Sequence, residues 1–151
     1  MITALKNEET ITMKLFGKDK VLEVFSTGDN KYDESGDFKP RGFDLSREEI
    51  DVLNWFIENV KIEDYRQEIA DYCNEQYDMW SDNKITADDV EDELDIHSIA
   101  INVTETWKSK DGYVYPEISF YGECQCDEEH GICIGFRDKA FLGINEQDWT
   151  L

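Results

Sequence analysis

Basic residues are scarce in this chain. Lysine and arginine number 15 against 36 aspartates and glutamates, a formal net charge of −21 over 151 residues. Such a surface repels phosphate backbones, so nucleic acid is not an expected partner. Long apolar runs are also missing. None approaches the roughly 20 residues that span a bilayer, and the opening MITALKNEET has no apolar segment after a basic stretch. Neither membrane association nor a signal peptide is therefore expected, which points to the cytoplasm. There the four cysteines, Cys73, Cys124, Cys126 and Cys133, are expected as reduced thiols. Proline occurs only twice and histidine only twice. No glycine-rich phosphate loop, nucleophile elbow or paired metal motif is visible, so no cofactor is implied. Internal repeats and low-complexity segments are absent as well.

Apolar side chains are plentiful by contrast. Hydrophobic residues make up 40% and aromatics 13%, too much for a disordered chain. The length suits one domain spanning residues 1–151 with a real core.

The opening runs ITMKLF and VLEVFS, joined by GKDK, predict a β-hairpin. A polar loop follows, STGDNKYDESGDFKPRGFD. With Gly36 at the sixth position of a calcium loop, Lys31 and Gly42 would fall where carboxylates are required, which excludes an EF-hand. Ser46-Arg47-Glu48-Glu49 is a capping box, and Ile50, Leu53, Ile57 and Val60 follow at helical spacing. A second helix is predicted from about Ile62 to Met79, with Tyr65, Ile69, Tyr72, Cys73 and Trp80 on one face. An aromatic stripe of this kind reads first as core. Thr86 caps a short third helix, ADDVEDEL, whose acids Asp88, Asp89, Glu91, Asp92 and Glu93 suit a helix N-terminus. The last third reads as strands: IHSIAINVTETW, a turn at SKDG, YVYPEISFYGECQC, ICIGF and AFLGI. The predicted fold is α+β, a mainly antiparallel sheet of about six strands in the order ββαααββββ, packed on two or three helices.

The segment CQCDEEHGIC concentrates the chemistry. Cys124, Cys126, His130 and Cys133 are zinc-ligand types, but their spacing is not that of a zinc knuckle. Strand alternation places Cys124 and Cys126 on one face with Ile118, Phe120, Ile132, Ile134 and Phe136, and Cys133 on the other. Side by side on a strand, Cys124 and Cys126 are also poorly placed for a disulfide to each other. His130 beside Glu128 and Glu129 invites an acid–base reading, with Glu129 and His130 as the pair. The favoured reading is structural. Residues Asp127 to Gly131 turn the chain, Gly131 supplies a positive φ, and His130 holds the turn by a hydrogen bond. His97, in an apolar strand, is expected as a satisfied structural residue.

The ending EEHGICIGFRDKAFLGI resembles the Glu-His-Gly hairpin of a family of small acidic bacterial proteins, a domain of unknown function. FGKDKVLEVF, REEIDVLNWFIENV and EDYRQEIADY fit the same pattern. The family is similar in kind to the immunity proteins that accompany polymorphic toxins. The resemblance implies a binding role and carries over no catalytic residues.

Three functions compete on the sequence. A binding protein would occlude a basic partner such as a toxin with its acidic surface, centred on Asp88, Asp89, Glu91, Asp92 and Glu93, with Trp80 or Tyr77 as anchors. A metal-binding or redox protein would use the Cys124–Cys133 hairpin. An unrecognised hydrolase would use Glu129 and His130. A free sheet edge allows a dimer as readily as a monomer.

Overall fold

The computed structural model describes residues 1–77, 81–104 and 114–150. The predicted anchor Trp80, and the turn expected at SKDG, lie outside them. Six strands form one sheet in chain order: β1 (Thr10–Leu15), β2 (Lys18–Ser26), β3 (Leu94–Ile101), β4 (Ile118–Cys124), β5 (Ile132–Arg137) and β6 (Ala140–Asn145). All neighbours run antiparallel except β2 and β3, which are parallel. Three α-helices, α1 (Arg47–Asn59), α2 (Arg66–Gln76) and the four-residue α3 (Val90–Glu93), lie between those two strands. The fold is thus α+β with a mostly antiparallel sheet. The observed order is richer than a plain strand-and-helix string, because 3₁₀ turns are interleaved at Gly28–Lys31, Ile62–Tyr65, Ala87–Asp89 and Gln125–Asp127.

Local chemistry accounts for most boundaries. The first hairpin turns at Phe16 and Gly17, both with positive φ (52° and 77°), so only the glycine of GKDK lies in the turn. Two consecutive positive φ values match the right-handed twist of the strands, so Lys18-Asp19-Lys20 is free to continue as strand. The last hairpin turns the same way at Asp138 and Lys139. Helix α1 begins on the predicted capping box. The Ser46 hydroxyl accepts from the Glu49 N–H at 3.1 Å, and the Glu49 carboxylate accepts from the Ser46 N–H at 2.9 Å. Such a cap contributes about 1 kcal/mol. The second helix starts later than expected, because Ile62–Tyr65 winds as 3₁₀ before α2. The third is shorter, since Leu94 already belongs to β3.

The helices bury one face of the sheet. Phe56 of α1 meets Phe120 of β4 at 4.6 Å between ring centroids and Phe136 of β5 at 5.5 Å. Tyr65 stacks on Phe141 at 4.8 Å and meets Phe136 edge-on at 5.3 Å. This part of the aromatic stripe is therefore core, as its composition implied. Register pairs Ile118 with Phe136, Phe120 with Ile134 and Gly122 with Ile132, which puts these residues on the helix-covered face. Tyr121 and Cys133 pair on the opposite face, where Tyr121 also meets Phe25. Gly122 is required by a close approach. A Cβ there would lie 2.2 Å from the Asp95 carbonyl oxygen, beside the bulge at Ile96/Ser98. His97 sits at that bulge with Nδ1 2.7 Å from the Ser98 hydroxyl and Nε2 3.4 Å from Glu123. It is the satisfied residue expected of it. No helix among the described residues is long and apolar enough to cross a membrane.

Phe120 is fully buried at the centre of the aromatic contacts. Phe120→Ala is expected to lower unfolding free energy by about 3–5 kcal/mol in urea titration, and a loss below about 1 kcal/mol would contradict this packing.

Candidate functional site

After β4 the chain winds through the 3₁₀ turn Gln125–Asp127 and reverses into β5. Gly131 closes the reversal with φ at +66°, and its N–H donates to the Asp127 carbonyl at 2.9 Å. A Cβ at this glycine would meet the Gln147 side chain at 2.4 Å. That side chain is occupied in donating to the Gly122 carbonyl at 2.6 Å. Glycine is needed here for both backbone and space. His130 clasps the same turn. Its backbone N–H donates to Asp127 Oδ1 at 3.2 Å, and Nδ1 lies 3.0 and 3.1 Å from the two carboxylate oxygens. Glu146 stands 4.0 Å from Nδ1. The acid facing the ring is therefore Asp127, not the adjacent Glu129 proposed as its partner. The hydrogen bond to Asp127, then its charge, raises the His130 pKa above the ordinary value, with smaller contributions from Glu146 and Glu129.

The four metal-ligand candidates do not come together. Cys133 lies on the far side of the sheet, opposite Tyr121, and His130 is held by carboxylates in the exposed turn. Cys124 and Cys126 do meet, with Sγ atoms 3.3 Å apart. Cys126 reaches this position because it belongs to the 3₁₀ turn, where strand alternation has ended. Two further residues complete the cluster. Cys73 faces inward from α2, one helical turn beyond Ile69 on its buried side. Glu93 comes from α3, three residues after buried Val90. One ligand atom each from Cys73, Glu93 and Cys126 lie within 4.8 Å of one another. The Tyr77 hydroxyl donates to Glu93 Oε1 at 2.5 Å.

The setting is dry. Cys73 is fully buried, Cys124 is 3% exposed and Glu93 is 6% exposed. For Cys126, contact with Cys124 favours the thiolate, but a hydrogen bond with Cys73 and burial outweigh it, leaving the thiol at about 12. The hydrogen bond to Cys126, then burial, raises Cys124 further. On the opposite face burial pushes Cys133 up to about 12. Burial, followed by the hydrogen bond to Glu93, raises Tyr77. Thiols held protonated in this way are poor nucleophiles at neutral pH.

The acidic cluster is redistributed. Glu93 is largely withdrawn from the surface: its carboxylate meets the thiol cluster and Tyr77, and only its edge lines a neighbouring surface depression. Asp89 accepts from the Thr86 N–H and hydroxyl, both at 3.0 Å. Glu91 pairs with Lys18 at 3.4 Å. Asp88 and Asp92 remain exposed. That depression brings Asp92 and Asp95 of the acidic run together with two acids from outside the run, Glu123 and Glu128, beside Gln125. Strand pairing makes this juxtaposition, since Asp95 of β3 sits opposite Glu123 of β4.

The chain belongs to the DUF6985 family, a domain of unknown function, whose model matches residues 2–151. No curated protein and no solved structure matches the chain. The family description assigns no activity.

The His130 clasp is testable by pH. Its folded pKa is raised, so its contribution to stability is full below the ordinary histidine pKa and is lost as pH rises through the folded value. A proton NMR titration is expected to place His130 above the ordinary value, with Asp127→Asn moving it down. An unshifted His130, or one insensitive to Asp127→Asn, would contradict the clasp.

Proposed function

We propose that this DUF6985 member is a binding protein that engages a basic protein partner through the acidic depression at the start of β3 and the end of β4. The observation that carries the reading is the convergence of Asp92, Asp95, Glu123 and Glu128 on one concave surface. Among the described residues, no lysine or arginine pairs with Asp92, Glu123 or Glu128, whereas Lys20 pairs with Asp95 at 3.2 Å. Glu123 meets His97 at 3.4 Å, so among the described residues the carboxylates of the depression with no basic partner are Asp92 and Glu128. An excess of carboxylates in a concavity raises the local concentration of cations and steers a basic partner. The overall charge of −21 acts in the same direction at longer range. The narrower form of the proposal is an immunity protein that occludes a basic toxin. Support for it comes from the Glu129-His130-Gly131 resemblance and the acidity of the chain.

Partner capture on the immobilised chain, followed by stopped-flow association with the purified partner, tests this reading. Association is expected to slow by roughly ten- to a hundred-fold between low and high salt. The double charge reversal Asp92→Lys with Glu128→Lys is expected to slow it comparably at low salt. Association indifferent to both salt and charge reversal would refute the acidic surface as the docking site.

A further inference from the structure

The cluster of Cys73, Glu93 and Cys126, with Cys124 beside it, forms the floor of the depression proposed for docking, which Glu93 and Cys124 line, and needs a separate explanation. A carboxylate 6% exposed is expensive to bury unless it is paired. Among the described residues no lysine, arginine or histidine pairs with Glu93. Its neighbours are the Tyr77 hydroxyl and two thiols. A cation seated between the carboxylate and the thiols would supply the missing charge.

We infer that Cys73, Glu93 and Cys126 bind a thiophilic divalent cation of the zinc type as a structural site, with Cys124, which touches Cys126 but lies outside that group of three, moving in as the fourth ligand. Zinc–sulfur bonds of about 2.3 Å in a tetrahedron place neighbouring ligand atoms roughly 3.8 Å apart. The Cys73, Glu93 and Cys126 ligand atoms, within 4.8 Å of one another, need contract by only about 1 Å to reach that spacing. The Cys124 sulfur, 3.3 Å from that of Cys126 and outside the group of three, needs to move about half an ångström away from Cys126 and closer to the other ligands. Sulfur ligands select zinc over magnesium or calcium, which take oxygen shells. The Tyr77 hydroxyl orients Glu93, as outer hydrogen bonds commonly orient ligating groups. The site would tie together α2, α3 and the turn after β4, three elements distant in sequence. In the other group, Asp127 with His130 and Glu146, only His130 is exposed and the other two are half-buried; its carboxylates already face the histidine, so it has no comparable need for a metal.

The full chain, purified without a metal-affinity tag, should carry close to one zinc by mass spectrometry. Cobalt(II) added to the stripped protein should give a thiolate charge-transfer band. Cys73→Ser and Cys126→Ser should lose the zinc, while His130→Ala and Cys133→Ala should keep it. Tyr77→Phe should weaken zinc binding by roughly 10- to 100-fold. Should a cysteine variant fail to fold, the wild-type cobalt spectrum and Glu93→Gln, which keeps an acceptor for Tyr77, still decide. A reduced chain that takes up neither zinc nor cobalt with a thiolate band overturns the inference. So does zinc lost in His130→Ala but kept in Cys73→Ser, or zinc affinity unchanged in Glu93→Gln. None of these measurements involves a protein partner, so the docking proposal stands or falls separately.

Discussion

The parallel pairing of β2 with β3 is the constraint on which the rest of the structure depends. Parallel neighbours cannot be joined by a tight turn, so the chain must cross over the sheet between them. Here the crossover carries α1, α2 and α3. Phe56 and Tyr65 from this segment lock onto Phe120, Phe136 and Phe141, burying one face of the sheet. The last part of the crossover must then return to β3, beside the end of β4 and the turn that follows it. Antiparallel pairing fixes that neighbourhood, with Leu94 opposite Cys124 and Asp95 opposite Glu123.

Both candidate sites arise from this return. Its inward side brings Cys73 and Glu93 to Cys126 and Cys124. Its outward side brings Asp92 and Asp95 to Glu123 and Glu128. Within a single acidic run, helical geometry turns Glu93 inward with Val90 and leaves Asp88, Asp89 and Asp92 outside. A cation at the buried cluster would stiffen the framework that presents the acidic depression. The two proposals are therefore mechanically adjacent: Glu93 and Cys124 also line the depression, while the charges proposed for docking are Asp92, Asp95, Glu123 and Glu128.

Local signals in the sequence were reliable where one short-range interaction decides the outcome. The Ser46–Glu49 box starts α1, Gly131 takes a positive φ, and alternation separates Cys133 from the core-facing residues of β4 and β5. Polar character drew the first turn too far into β2, because Phe16-Gly17 satisfies the backbone geometry while Lys18-Asp19-Lys20 fits an exposed strand. The ligand set was not legible for three physical reasons. Cys126 leaves the strand pattern by entering a 3₁₀ turn. Cys73 reads as an ordinary buried helix residue. Glu93 is one acid among several, and only its offset of three from Val90 hints that it points inward. His130 illustrates the converse error, since sequence adjacency offered Glu129 while the turn delivers Asp127.

X-ray absorption at the zinc edge of the stoichiometric zinc complex tests the central claim most directly, because it separates the crossover-built cluster from the exposed histidine turn. The account predicts a first shell dominated by two or three sulfurs at about 2.3 Å with one oxygen. A shell of nitrogen and oxygen alone would place the metal at Asp127, His130 and Glu146, and would contradict it.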